Sequence, residues 1–284
     1  MNHPVNPDLK KKNLLVMKGF KIIIIPLVAL MAFTKEAETP YQEFCSINNN
    51  SFKASEKITY AVYYAVAGIY VNAGTATFTN TLETLNNRPV YHIAGEGNTN
   101  SSYDWIYKVR DKYETYIDTA SLQTLKFVRN VNENGFKQYQ NVTFNKTANT
   151  AVTKDGVFKV PACVQDVVSA IYYARNIDFS KLRKDDKISF SMFLDNEVFD
   201  MYIRYLGKET IKTKYGKFRA IKFKPLLLKG TIFEGGENMT VWVTDDANHI
   251  PIRIESPIVV GKVKIDMMNY ENIRHPMTAL IKRK

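Results

Sequence analysis

The chain is poor in the residue types that mark catalytic and metal centres. Its 284 residues include two cysteines and four histidines. Cys45 and Cys163 leave room for one disulfide, and no Cys-x-x-Cys pair exists. The histidines, His3, His92, His249 and His275, stand in unrelated contexts, and none belongs to an HExxH pair. No phosphate-binding glycine loop and no G-x-S-x-G nucleophile elbow is present. Asp245, Asp246 and Asn248 have the composition of a calcium loop but lack the rest of it, and they read as a polar turn. Ser169, set among apolar residues, reads as a packing residue rather than a nucleophile. Neither a cofactor nor a metal is expected.

Long apolar runs are also scarce. The one clear run, Ile22 to Phe33, is about twelve residues, short of the ~20 that a spanning helix needs. Lys10, Lys11, Lys12, Lys18 and Lys21 precede it, and Thr34-Lys35-Glu36 follows. A basic start, an apolar centre and an abrupt polar exit form the layout of an export signal. Residues 1–34 are therefore read as a signal peptide, with Met17 as a second start of more usual length. The expected location is the periplasm or cell envelope, with no spanning segment in the mature chain. An oxidising envelope would allow Cys45 and Cys163 to pair, which would close a long loop worth on the order of 4 kcal/mol in the chain-entropy model.

One-sided charge clustering is absent as well. The net charge is +11. Without residues 1–34 there remain 34 basic and 27 acidic residues, or +7. The basic residues are spread out and interleaved with acids, which argues against a nucleic-acid partner. Residues 35–275, long enough for a sizeable core, are read as a single β-rich domain. Residues 276–284 are read as a frayed basic tail.

Tyrosine and phenylalanine are abundant, 17 and 16 residues, and fall in period-two alternation. This pattern predicts strands over 57–64, 67–74, 75–82, 90–95, 107–118, 125–131 and 135–144. Asp155-Gly156 predicts a tight hairpin within 150–160. Strands resume over 187–194, 197–206, 218–224, 239–244, 250–255 and 258–268. Between the two sets, apolar residues at 164, 167, 168, 171, 172 and 174 have helical spacing. The expected fold is mainly β, built of antiparallel curved sheets with one principal short helix at about 164–175. Alternation alone leaves a half-barrel and a two-layer sandwich both open.

Several segments, taken in order, resemble the exported bacterial family of unknown function DUF3108. They are Ile58-Thr59-Tyr60-Ala61-Val62-Tyr63-Tyr64 with Ala73-Gly74; Val109-Arg110-Asp111-Lys112-Tyr113; Asp166-Val167-Val168-Ser169-Ala170-Ile171-Tyr172; Gly207-Lys208-Glu209 with Tyr215-Gly216; and Trp242-Val243-Thr244-Asp245-Asp246-Ala247-Asn248-His249. One departure is Lys53-Ala54-Ser55-Glu56, where the resemblance implies a Gly-Glu before the first strand. The family implies no activity. More weakly, the closing hairpin is similar to that of LolA/LolB-like lipoprotein carriers. That likeness implies an unclosed barrel around a helix, with an apolar concave face lined by Tyr63, Phe78, Phe190, Phe193, Met201, Phe223 and Trp242. The leading expectation is non-catalytic binding of a lipid or lipoprotein acyl chain. A scaffolding protein with an envelope protein partner is the alternative, and a hydrolase a distant one.

Overall fold

Fifteen strands of one antiparallel sheet make up most of the described residues. In the computed structural model the described residues are 47–66, 68–229, 235–258 and 261–284. The segment read as an export signal and Cys45 lie outside them. Cys163 is disulfide-bonded, and its sulfur also accepts a hydrogen bond from Gln123 Nε2 at 3.1 Å.

The strands are β1 (Lys57–Val66), β2 (Ile69–Leu85), β3 (Arg88–Thr99), β4 (Arg110–Asp118), β5 (Thr124–Glu133), β6 (Phe136–Asn145), β7 (Thr150–Thr153) and β8 (Gly156–Lys159), followed by β9 (Lys187–Leu194), β10 (Glu197–Lys212), β11 (Gly216–Pro225), β12 (Thr240–Thr244), β13 (Pro251–Pro257), β14 (Lys262–Glu271) and β15 (Leu280–Arg283). One helix, α1 (Val167–Ala174), separates the two sets. The sheet runs β8-β7-β6-β5-β4-β3-β2-β1-β14-β13-β12-β11-β10-β9, with β15 added to β11. Each half is thus a meander of hairpins, and pairing of β1 with β14 joins the halves. A single sheet stands where the alternation also allowed two layers.

The two ends of this path meet. Phe193 on β9 packs edge-on against Phe144 on β6 at 6.0 Å, and Phe158 on β8 lies 5.8 Å from it. Asn196 donates to Asp155 at 2.8 Å, and Arg129 and Gln138 both donate to Asp195. The free edge of β9 is covered by the chain leading to the helix. Gln165 N donates to Ser191 O and Phe193 N to Gln165 O, both at 2.9 Å. Side chains and this strap close the sheet where no strand ladder does, and they shield an edge that would otherwise invite pairing.

The helix lies in the concavity, against β4 and β9. An eight-residue helix is too short to stand alone. Asp166 caps it: Oδ1 accepts Val168 N and Ser169 N at 2.8 Å, while Ser169 Oγ accepts Asp166 N at 2.8 Å, a capping box. The other carboxylate oxygen accepts the hydroxyls of Thr115 and Thr124, each at 2.6 Å. Burial pushes the Asp166 carboxyl up, and these donors oppose that shift. The helix start is therefore bolted to β4 and β5.

Two apolar clusters result. The larger joins the helix (Val168, Tyr172, Tyr173) to Phe127, Phe193 and Ile221 of the sheet. The smaller gathers Ile58, Tyr60, Phe218, Ile252 and Met267. Glycine matters where the rings sit. A Cβ at Gly95 would lie 2.8 Å from the Phe78 ring on the paired strand. At Gly207, φ is +103° in the bulge where β10 shifts register against β11.

The chain end departs from expectation. In place of a frayed tail, Leu280–Arg283 forms β15, and Phe218 pairs with Leu280. A four-residue strand of two apolar and two basic residues is too short to register as alternation. It forms because β12 pairs only with residues 220–223 of β11 and leaves residues 216–218 open on that side.

Candidate functional site

The residues expected to line an apolar concave face do not share one surface. Phe193 and Phe223 are buried in the larger cluster, with Phe190 and Phe78 packed against it. Met201 is buried opposite Phe190 on the β9–β10 ladder. Trp242 packs on the smaller cluster, and its indole N–H donates to Glu209 at 2.5 Å. Tyr63 stands apart, with the ammonium groups of Lys264 and Lys214 at 5.3 and 5.7 Å from its ring. The space beside the helix is occupied by the protein's own side chains.

The buried Arg175 and Glu56 are committed to structure. Arg175, at the C-terminal end of the helix, forms a two-pronged pair with Glu56: Nη1 to Oε1 at 2.6 Å and Nη2 to Oε2 at 2.9 Å. Its Nε donates to Asn248 O at 3.1 Å and its Nη2 to Ser51 O at 3.3 Å. Ser55, just before Glu56, has φ +68°. That is the conformation a glycine adopts without strain, and it falls in the 53–56 stretch where the family likeness implied a Gly-Glu. Asp246 accepts hydrogen bonds from Thr244 Oγ1, Asn248 N and Ala279 N, so the calcium-like loop is a satisfied turn. On the sheet surface His92 bridges Glu83 and Glu114 at 2.6 and 3.0 Å and stacks on Tyr116. Among the described residues no group of three or more His, Cys, Asp or Glu is placed to hold a metal ion.

His249 carries a testable consequence. Its Nδ1 lies 2.7 Å from Arg175 O, and its ring meets the Phe179 ring edge-on. Burial pushes its pKa below the ordinary histidine value, against the raising effects of the Arg175 carbonyl and Asp246. The unfolded chain then takes up the proton first as pH falls. Stability is full above the unfolded value and is lost as pH drops through it towards the lower folded one. Urea midpoints at pH 7.5 and pH 5.5 should fall more for the wild type than for His249→Asn. Asparagine tolerates the positive φ of 43° found here. Equal losses in the two proteins would disprove the role.

Exposed apolar side chains gather at the opposite end. Antiparallel order puts the β1–β2, β3–β4, β5–β6 and β13–β14 connections at one end of the sheet, with neighbouring connections roughly 10 Å apart, two strand spacings. At that end Trp105 is 83% exposed, Ile69 70%, Ile106 56% and Phe136 51%, and Tyr70 and Tyr107 are also exposed. Leu82, Met268 and Ile281 are exposed singly elsewhere, as is ordinary.

The Trp105 loop is braced. Arg110 Nη2 pairs with Asp104 Oδ2 at 2.7 Å, and Thr99 Oγ1 donates to Asp104 Oδ1 at 2.7 Å while accepting Val109 N at 3.0 Å. The Thr99 hydroxyl, with Arg110, holds the Asp104 carboxyl below its usual range. The indole N–H of Trp105 donates to Ser102 O at 3.0 Å within its own loop. Asn100 N donates to Ala73 O on β2, and Asn134 N in the β5–β6 turn donates to Lys108 O, tying the loop to its neighbours on either side. Sequence reasoning missed these residues by starting a strand at Tyr107. The available signal was three consecutive large apolar residues, 105–107, fitting neither helical nor strand periodicity.

No helix among the described residues is long and apolar enough to cross a membrane. No curated protein matches the chain. Among solved structures, a β-barrel-like protein of the unknown-function family DUF1849 from Brucella abortus is similar in fold. It has a TM-score of 0.52 and 8% identity, over 78% of this chain and 99% of that one. A candidate lipoprotein from Parabacteroides distasonis aligns with a TM-score of 0.36 and 14% identity, over 80% and 99% of the two chains. A candidate exported protein with a YmcC-like fold from Bacteroides fragilis gives 0.31 and 12%, over 81% and 100%. Only the first score bears on the fold. The family model described as "Protein of unknown function (DUF3108)" matches residues 59–268, most of the sheet and the whole of α1, and the chain belongs to that family.

Proposed function

We propose that this chain is an exported envelope protein that binds an amphipathic, lipid-like ligand without catalysing a reaction on it. The observation that carries the reading is the contrast between the two ends. Buried polar groups at one end hold the fold together. At the other, a braced loop keeps Trp105 and Ile106 in water, an arrangement that brings no folding benefit and suits an apolar partner. A ligand meeting this end needs no rearrangement of the chain. An acyl chain seeking Phe190, Phe193 and Phe223 would have to displace α1, so that face is the second place for it. The closely packed interior favours the scaffold reading over the carrier one at that second place.

Protein purified from its own envelope without denaturation should carry lipid in native mass spectrometry, and stripped protein should take up a fluorescent fatty acid. Ligand-free protein that takes up no fluorescent lipid would overturn the proposal and leave the scaffold reading.

A further inference from the structure

We infer that the hairpin end carrying Trp105 is a docking edge for an anionic lipid bilayer. The inference rests on the lipid reading above and adds the partner's form: a membrane surface rather than a single extracted lipid.

Three observations point to a bilayer. The first is residue type. Trp105, Tyr107 and Tyr70 are the aromatic residues that settle at the membrane–water boundary, and Ile69, Ile106 and Phe136 supply purely apolar tips. The second is the charge among them. Lys108, Lys137 and Lys262 are exposed on the same connections, and Lys264 lies 4.2 Å from the Tyr70 ring. The acids nearby are muted. Asp104 is paired with Arg110. Asp111 accepts Asn132 N at 2.8 Å, and Glu133 is half-buried beside it. Ammonium groups interleaved with aromatic rings match a layer of headgroup phosphates above acyl chains. The third is shape. The apolar tips project from separate connections along a row, whereas the central anchors of a protein interface sit in a packed pocket on the partner. A fluid bilayer accepts separate protrusions without needing matched pockets.

The brace then has a purpose. Asp104, Arg110 and Thr99 order the loop before contact, so that little ordering cost remains when Trp105 enters the interface.

The full chain should co-sediment with vesicles of phosphatidylcholine and phosphatidylglycerol in equal amounts, and far less with phosphatidylcholine alone. Binding should weaken with salt, and neutralising Lys108, Lys137 or Lys262 to Gln should each cost about fivefold. Trp105→Ser with Ile106→Ser should cost at least about tenfold; both side chains are solvent-exposed, so the fold should survive. In Trp242→Phe the remaining tryptophan is Trp105, and brominated lipid should quench it. Unchanged vesicle binding by the double variant, or no quenching, overturns the docking edge. Wild-type protein that takes up fluorescent lipid yet ignores vesicles overturns it while the lipid reading stands. Failure of both assays removes both. Recovery of an envelope protein that depends on Trp105, without vesicle binding, makes this end a protein interface and also overturns the inference.

Discussion

Replacing Arg175 by alanine is expected to lower stability by about 3–5 kcal/mol, the usual cost of leaving one partner of a buried ion pair behind. Arg175 is 3% exposed and Glu56 1%. The guanidinium lies between two rings, 5.6 Å from the Phe52 centroid and 5.1 Å from that of Tyr172. It joins three parts of the chain distant in sequence: the 51–56 segment, the end of α1 and the β12–β13 turn. Without it, Glu56 remains among Tyr60 and Tyr172, whose hydroxyls burial already pushes well above the ordinary tyrosine pKa. No cation is left to offset the carboxylate. Arg175→Lys should also be costly, because an ammonium cannot hold two carboxylate oxygens and two carbonyls in the same fork. The control is to remove both charges. Glu56→Leu with Arg175→Met should recover a substantial part of the loss, because an apolar replacement of a whole buried pair is often neutral. Urea unfolding at pH 7 compares the wild type, Arg175→Ala, Arg175→Lys and the double variant. A loss below about 1 kcal/mol for Arg175→Ala would show that the pair is not the clamp described.

How much of this was legible in the sequence depends on the range of the signal. Alternation is local, so β1, β9, β10 and β12 can be read directly, and α1 follows from its 3.6-residue spacing. Asp166 and Arg175 bracket the helix, but nothing local says what they bind. Their partners Thr115, Thr124 and Glu56 come from distant strands, and only the closure of the sheet brings them near. The choice between sandwich and half-barrel was unreadable for the same reason, since β8 and β9 meet through side chains and not through a ladder. The Phe and Trp positions were read as lining one concave face, and the structure divides them between two clusters. Trp242 and Val241 are neighbours on one strand and point to opposite faces, so Val241 joins the larger cluster and Trp242 the smaller. The Trp105 loop broke both periodicities, and a pattern reader discards such a segment even when it is the most exposed apolar feature of the molecule.

Phe193→Ala is the second large effect, expected to cost about 3–5 kcal/mol as a large-to-small change in a closed core. Phe193 is fully buried, and its ring is the contact that β9 makes with Phe144 and Phe158 on the other end of the sheet. The loss should be local before it is global. Across the seam itself the other ties are Asn196 to Asp155, the Asp195 pairs with β5 and β6, and the Gln165 strap along β9. Hydrogen exchange in Phe193→Ala should therefore quicken first in β7, β8 and β9, while β1 and β14, paired on both sides at the middle of the path, stay protected. Uniform acceleration, or a loss below about 1.5 kcal/mol, would mean that the ends are held by something other than this ring. The same variant separates the two places proposed for lipid. If an acyl chain enters beside α1, loosening the seam should alter fatty-acid uptake while vesicle docking through Trp105 is unchanged. If binding occurs only at the hairpin end, both should be unchanged in whatever fraction of the protein remains folded.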